Sequence, residues 1–166
     1  MENLRRRCES RLRGIRVPDP FDLDAFCAEV AQHRGRPLIR RAVPGLSVDA
    51  PCGLWIGTAE ADHVFHDPGT SPLHAEHIVL HELAHILSGH TGASGEGAGG
   101  GGTADGSLAR LFPDLDPATV SRVLGRATYS DAQEREAEMM ASLIRGRPAP
   151  PPRTTLGRIA KALGLE

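Results

Sequence analysis

The segment His81-Glu82-Leu83-Ala84-His85 has residue types and a spacing that can build a metal site. Two histidines four residues apart lie one helical turn apart, so both imidazoles can reach the same ion. Glu82 lies beside the first histidine and can reach a water molecule bound to that ion. Two imidazoles and an open position suit a catalytic zinc. The pattern therefore predicts a zinc site with His81 and His85 as ligands and Glu82 as general base.

The alternative to a metal site is a structural cluster of histidines. Seven of the eight histidines lie between His63 and His90, and the motif is surrounded by apolar residues. A helix that is apolar on nearly all sides is buried, and an imidazole without a partner is costly there. A bound ion is one way to satisfy such imidazoles, so we favour the metal site.

A catalytic zinc needs a third protein ligand. The dense carboxylate group downstream is Glu134-Arg135-Glu136-Ala137-Glu138. On a helix, Glu134 and Glu136 flank the apolar stripe at similar angles, so periodicity does not choose between them. Glu138 lies one turn beyond Glu134, where it can hydrogen-bond a ligating histidine. We therefore predict Glu134 as ligand, with Glu138 next and Glu136 last, because a solvated charged face describes Glu136 best.

Hydrolysis at such a site also needs a hydrogen-bond donor for the oxyanion. Tyr129, His90 and His74 are candidates, and Tyr129 is the first choice because it directly precedes the predicted ligand helix. His77 lies one turn before His81 and is a rival ligand, but that pair lacks the intervening Glu.

Residues near the motif could also contact a substrate. The segment His63–His66 is expected to form a sheet edge above the site, where an extended peptide could add as a further strand. Trp55 is expected in the core, and Cys52 is expected to be a buried thiol rather than a ligand.

Start and stop signals place the motif on a long helix. Ser71 can cap its first turn, Pro72 suits its first position and Gly89 can end it, which predicts a helix from Pro72 to Ser88. Ser130 and Gln133 form a capping box, which predicts that the glutamate-rich segment is a helix ending near residue 145.

Apolar periodicity and Gly or Pro breaks predict the other elements. They are helices over 2–13 and from Asp22 or Asp24 to about His33, and strands over 38–43, 53–58 and 63–66. Eight glycines predict a flexible loop over 92–106, and Asp116-Pro117 predicts the start of a short helix. We expect one α+β domain over 1–147, then a Pro-rich spacer and a short C-terminal helix over 148–166.

Composition limits the partners and the compartment. The chain has 166 residues and a net charge of −2, which predicts no direct nucleic-acid partner. No apolar run approaches the roughly 18 residues that a membrane span needs. The basic N-terminal segment leads into no apolar stretch, and three cysteines fit a reducing compartment. We therefore expect a cytoplasmic protein.

The HELAH motif with a further histidine five residues on, followed by the EREAE segment, resembles the ImmA/IrrE family of bacterial metallopeptidases. The resemblance covers roughly residues 52–144. It implies a minimal zincin-like fold, in which a small three-stranded sheet packs on the HExxH helix and on a second helix that carries a ligand. It also implies one zinc per chain, with ligands His81, His85 and Glu134 and with Glu82 as base.

The resemblance further implies an endopeptidase that cleaves a specific cytoplasmic protein. The implied target is a helix-turn-helix transcriptional repressor of a toxin–antitoxin or stress-response system. The rival function is a catalytically silent zinc-containing module that sequesters a regulator. Glu82 separates the two, because a protein that only binds has no need of a carboxylate beside the metal. The N-terminal arginines could contact nucleic acid, but a solvated helix face is the preferred interpretation.

Overall fold

The computed structural model describes residues 2–46, 53–90, 112–116 and 129–146. Within these ranges the chain forms four helices and a small mixed sheet of three strands, an α+β arrangement. In chain order the elements are α1 (Glu2–Leu12), α2 (Leu23–Arg34), β1 (Leu38–Ala42), β2 (Gly53–Gly57), β3 (Asp62–His66), α3 (Pro72–Ser88) and α4 (Asp131–Ile144). All seven were predicted, with bounds within one residue.

Several predictions fall on residues outside the described ranges. These are the loop over 92–106, the helix that Asp116-Pro117 would open, the thiol of Cys52 and the segment 148–166. None of the helices in the described ranges combines the length and apolar character that a membrane crossing requires.

The helix ends are set by side-chain caps where the sequence predicted them. Asp22 caps α2, accepting a backbone N–H at 2.7 Å, and Ser71 caps α3 ahead of its N-terminal proline. Ser130 and Gln133 form both hydrogen bonds of a capping box at the start of α4. Gly89 ends α3 with a φ of 66°, a left-handed conformation that glycine adopts readily. Because α3 and α4 both carry site residues, these caps fix the ends of the two helices that build the site.

The sheet has the strand order β1-β3-β2, so β3 is central. It pairs in parallel with β1 and antiparallel with β2. The prediction that His63–His66 forms an exposed peptide-binding edge is therefore wrong. The short connection between β2 and β3 explains their hairpin. The parallel pairing of β1 with β3, which places Leu38 opposite Asp62, has no local signal in the sequence.

Among the described strands, β2 is an edge strand of the sheet, and it contacts α3. The N–H of Thr58 donates to the carbonyl of Ala61 at 2.9 Å, which fixes the alternation of hydrogen bonds along the hairpin. Leu54 and Ile56 therefore bond to β3. The residues whose backbone groups face away from β3 are Gly53, Trp55 and Gly57.

The helix that carries the motif lies inside the main apolar core. One face of the sheet and the four helices enclose this core, and α3 contributes more of its buried members than any other element: Val79, Leu80, Leu83, Ala84 and Ile86. Trp55 packs partly buried against it, as predicted. The other face of the sheet carries a second core that includes Phe65 and Phe112. Any polar side chain on the inner face of α3 is consequently held in apolar surroundings.

Asp62 ties the start of β3 to two neighbouring elements. It is 1% exposed, and its carboxylate accepts hydrogen bonds from Arg34 Nε at 3.0 Å and from the indole N–H of Trp55 at 3.1 Å. Arg36 Nε lies 3.6 Å away. This buried carboxylate therefore joins α2, β2 and β3.

Asp62→Ala should lower the free energy of unfolding by about 3 kcal/mol, because it leaves partly buried cations without their counter-charge. Asp24→Ala is the matched control, since Asp24 pairs with Arg40 but its side chain is 81% exposed. We expect the control to change the free energy of unfolding by less than about 1 kcal/mol. Chemical denaturation measures both, and equal effects would contradict the role given to Asp62.

Candidate metal centre

Two imidazoles and one carboxylate converge between α3 and α4. The Nε2 atoms of His81 and His85 lie 3.1 Å apart. Oε2 of Glu134 lies 3.1 Å from Nε2 of His81 and 3.9 Å from Nε2 of His85. Within the described residues, this is the group of three side chains that could hold a metal ion. The structure thus brings together the three residues that the sequence predicted as ligands.

The three side chains differ in their access to solvent. The side chain of His85 is 1% exposed, that of His81 is 23% exposed and that of Glu134 is 47% exposed. An ion or a substrate would therefore approach from the side of Glu134, at the N-terminal turn of α4, and His85 forms the floor of the site.

Electrostatics gives the two histidines different protonation states when no ion is bound. Burial lowers the pKa of His81, but hydrogen bonds with Glu134 and Glu138 raise it more, to about 9. Burial, together with the positive charge of His81, lowers the pKa of His85 to about 3. The hydrogen bond from His81 keeps the pKa of Glu134 below its usual range. A metal ion would displace the proton of His81, whereas the lone pairs of His85 are already free.

The side chain of Glu82 extends from α3 towards β2. Glu82 is 7% exposed, and its carboxylate accepts a hydrogen bond from the backbone N–H of Trp55. Burial raises the pKa of this carboxyl to about 7, against the opposing effects of the positive charge of His81 and of that hydrogen bond. Glu82 is therefore a carboxylate whose proton affinity lies near neutrality.

The close approach of β2 to Glu82 requires a glycine. A Cβ atom at Gly53 would lie 2.6 Å from Cγ2 of Ile78 and 2.8 Å from Oε1 of Glu82. Both distances are shorter than van der Waals contact, so any side chain at residue 53 would push the strand or the carboxylate away.

Glu138 lies behind His81, on the side of the ring away from the converging Nε2 atoms. Its Oε2 is 3.6 Å from Nδ1 of His81 and 3.1 Å from Nε2 of His77. The hydrogen bonds with these two imidazoles hold the pKa of the Glu138 carboxyl far below its usual range. The rival ligand His77 is thus engaged with Glu138 and lies outside the group that could hold an ion.

Glu136 is buried, and the prediction that it belongs to a solvated charged face is wrong. It is 6% exposed, and its carboxylate lies 3.0 Å from Arg7 Nε, 3.1 Å from Arg11 Nε and 3.3 Å from His90 Nε2. Burial raises its pKa, but the hydrogen bonds from His90 and Arg7 and the charge of Arg11 lower it more, so the net shift is downward. The cause is the packing of α1 against α4, which the local sequence of α4 does not reveal.

The three candidate oxyanion donors occupy different places. The two ring nitrogens of His90 contact Nδ1 of His85 and Oε2 of Glu136. His74 is exposed on the first turn of α3. The ring of Tyr129 stacks on that of His85, with centroids 3.7 Å apart and planes at 19°. Burial raises the pKa of Tyr129, and the charges of Glu82 and Glu134 add to this shift, so its hydroxyl stays protonated. Tyr129 is the candidate that the structure brings to the site.

Comparison of the chain with family models, with curated proteins and with solved structures found no match in any of the three. The class of site is therefore described from its own geometry. Two imidazoles and a carboxylate that could hold a metal ion lie beside a buried carboxyl group of near-neutral pKa.

Gly53→Ala should lower the free energy of unfolding by about 1–3 kcal/mol, because the added methyl group overlaps Ile78 and Glu82. Gly57→Ala is the matched control on the same strand, since a Cβ there would lie an ordinary 3.5 Å from its nearest neighbour. We expect the control to stay within about 0.5 kcal/mol of the original protein. Denaturant titration compares them, and a Gly53 variant as stable as the control would contradict the close approach.

Proposed function

We propose that this protein is a zinc-dependent endopeptidase with one zinc per chain. The observation that carries the proposal is the convergence of His81, His85 and Glu134 beside the buried carboxylate of Glu82. A group that only held an ion would need no such carboxylate, so its presence favours an enzyme over a silent binding module.

The donor set fits zinc in number, type and spacing. Catalytic zinc sites use three nitrogen or oxygen ligands at about 2.0–2.2 Å and leave one position open, so neighbouring donors of a tetrahedral site lie about 3.3 Å apart. The three donor pairs here lie 3.1, 3.1 and 3.9 Å apart. The other ring nitrogen, Nδ1, faces Glu138 in His81 and His90 in His85. A polar partner for the second ring nitrogen is the arrangement expected of ligating histidines.

The chemistry assigned to Glu82 is proton transfer. Zinc in this site supplies Lewis acidity, which lowers the pKa of water and polarises a carbonyl. The carboxylate of Glu82 accepts the proton as the water oxygen attacks the scissile carbonyl carbon. It then delivers that proton to the amine nitrogen as the carbon–nitrogen bond breaks. The near-neutral pKa that burial gives Glu82 suits a group that must take up and release a proton in the same cycle.

We assign Tyr129 the role of hydrogen-bond donor to the oxyanion. Its ring stacks on that of the predicted ligand His85, its hydroxyl stays protonated, and it lies close enough to Glu82 and Glu134 for their charges to raise its pKa. A donor aimed at the developing negative charge stabilises the tetrahedral intermediate.

The substrate is assigned to the open edge of β2. Within the described residues no strand pairs with that edge. The N–H of Trp55 donates to Glu82, and the outward carbonyl of Trp55 and the backbone groups of Gly57 lie on the same edge. An extended peptide can add to such an edge through main-chain hydrogen bonds. We further propose a cytoplasmic helix-turn-helix repressor as the substrate, on the strength of the resemblance to the ImmA/IrrE family alone.

Glu134→Gln should raise the zinc dissociation constant by more than about 100-fold, because losing a direct ligand exceeds the roughly 10- to 100-fold effect of a group behind a ligand. Asp131→Asn is the matched control, an exposed carboxylate in the same first turn of α4. Competition with a chromophoric chelator measures both. Unchanged zinc affinity in the Glu134 variant would remove it from the site.

Glu82→Gln should keep zinc and lose cleavage by roughly 10²- to 10⁴-fold, the contribution of a general base. Elemental analysis reports the zinc. Mass spectrometry of new protein N-termini, in cells that express either form, reports cleavage. New termini that appear equally with both forms would exclude Glu82 as base. If wild-type protein that holds zinc produces none, the binding module becomes the better account.

A further inference from the structure

A chain of buried polar side chains leads from His85 away from the metal centre to the N-terminal helix. Nδ1 of His85 lies 3.0 Å from Nδ1 of His90, and Nε2 of His90 lies 3.3 Å from Oε2 of Glu136. The other carboxylate oxygen, Oε1, lies 3.0 Å from Arg7 Nε and 3.1 Å from Arg11 Nε. The chain thus crosses from α3 to α4 and then to α1.

The donors and acceptors along this chain can be assigned in one direction. If His85 binds an ion through Nε2, its Nδ1 must carry the ring proton and donate it. Nδ1 of His90 then accepts, so His90 carries its own proton on Nε2 and donates to Glu136. The carboxylate of Glu136 accepts from His90 on one oxygen and from Arg7 on the other, where the charge of Arg11 adds an ion pair. Both imidazoles and the carboxylate then have a partner of the correct type.

The two imidazoles and the carboxylate are buried, so a missing hydrogen-bond partner would be costly. The side chains of His85, His90 and Glu136 are 1%, 6% and 8% exposed. A buried polar network rigidifies its members when every group is satisfied and is costly when one is missing. Arg11 also donates from Nη1 to the carbonyl of Ser88 at 2.8 Å, so α1 holds both the carboxylate and the last turn of α3.

We propose that His90 and Glu136 are positioning residues that fix the ring orientation and tautomer of His85 for metal binding, and that α1 completes the metal centre through Arg7 and Arg11. The inference rests on the proposed metal site. It gives the N-terminal helix a role in ion affinity although none of its residues reaches the ion.

Two substitutions of His90 separate hydrogen bonding from packing. His90→Leu keeps much of the volume and removes the acceptor. His90→Asn is smaller but can place an oxygen near the position of Nδ1. The proposal predicts that the Leu variant raises the zinc dissociation constant about 10- to 100-fold and that the Asn variant recovers part of the loss. A packing role predicts the reverse order.

Variants of Glu136 and of the two arginines test whether the series of polar side chains continues from His90 to α1. Glu136→Gln and the double variant Arg7→Ala/Arg11→Ala should also weaken zinc binding, the double variant less than His90→Leu. Arg5→Ala is the control on α1, because Arg5 pairs with Glu9 on the exposed surface. Ser88→Ala is the buried control near His90, because its hydroxyl has no hydrogen-bond partner. Both controls should bind zinc as the wild type does.

The measurement is the zinc dissociation constant by chelator competition, with circular dichroism of the metal-free proteins to establish folding. Proton NMR of the zinc-loaded wild type should show a slowly exchanging Nδ1–H of His85, which His90→Leu should lose. Wild-type zinc affinity in the folded His90 and Glu136 variants would overturn this inference and leave the proposed function standing, as would a Leu variant that binds better than Asn. If the His90 variants do not fold, the arginine double variant decides by the same criterion. A wild type that binds no zinc would overturn both.

Discussion

The structure depends on one constraint, which is that α3 must bury polar side chains inside an apolar core. Glu82 and His85 lie on a helix whose neighbouring positions are almost entirely apolar and fully buried. A buried polar group without a partner costs more free energy than most single contacts supply. Glu82 and His85 therefore each need a neighbour that satisfies them, and those neighbours determine how the other elements pack.

Different elements supply these partners. The edge strand β2 provides a backbone N–H to Glu82 and comes close enough only because residue 53 is a glycine. The helix α4 provides Glu134 and Glu138 to the two ring nitrogens of His81. The turn after α3 provides His90 to His85. The candidate site is thus the place where the sheet and two helices meet, and its formation is inseparable from the packing of the core.

Local signals predicted the parts of this arrangement that depend on neighbours in the sequence. The bounds of α3 follow from Ser71, Pro72 and Gly89, which act on the helix ends directly, and the structure has the predicted bounds. The choice of Glu134 followed from the one-turn spacing to Glu138, and the structure places both beside His81.

The parts that local signals missed depend on contacts between distant segments. Glu136 is buried because α1 packs on α4 and brings Arg7 and Arg11 to it, and nothing in the EREAE segment reports that packing. The central position of β3 depends in the same way on its parallel pairing with β1. The spacing of Arg7 and Arg11, one helical turn apart, was the available sign that one carboxylate could meet both. It becomes informative only when the facing helix is known.

The four glutamates around the site show how one residue type acquires different chemistry from its surroundings. Glu134, Glu136 and Glu138 each accept hydrogen bonds from imidazoles or guanidinium groups, and their pKa values are lowered, so they stay charged as acceptors. The carboxylate of Glu82 accepts a hydrogen bond from a backbone N–H and has apolar neighbours, and burial raises its pKa to about 7. Environments that push the pKa values of identical groups apart assign them different roles. Of these four, Glu82 is the carboxyl group that can both accept and release a proton near neutral pH, and it lies beside the position where the imidazoles and Glu134 converge.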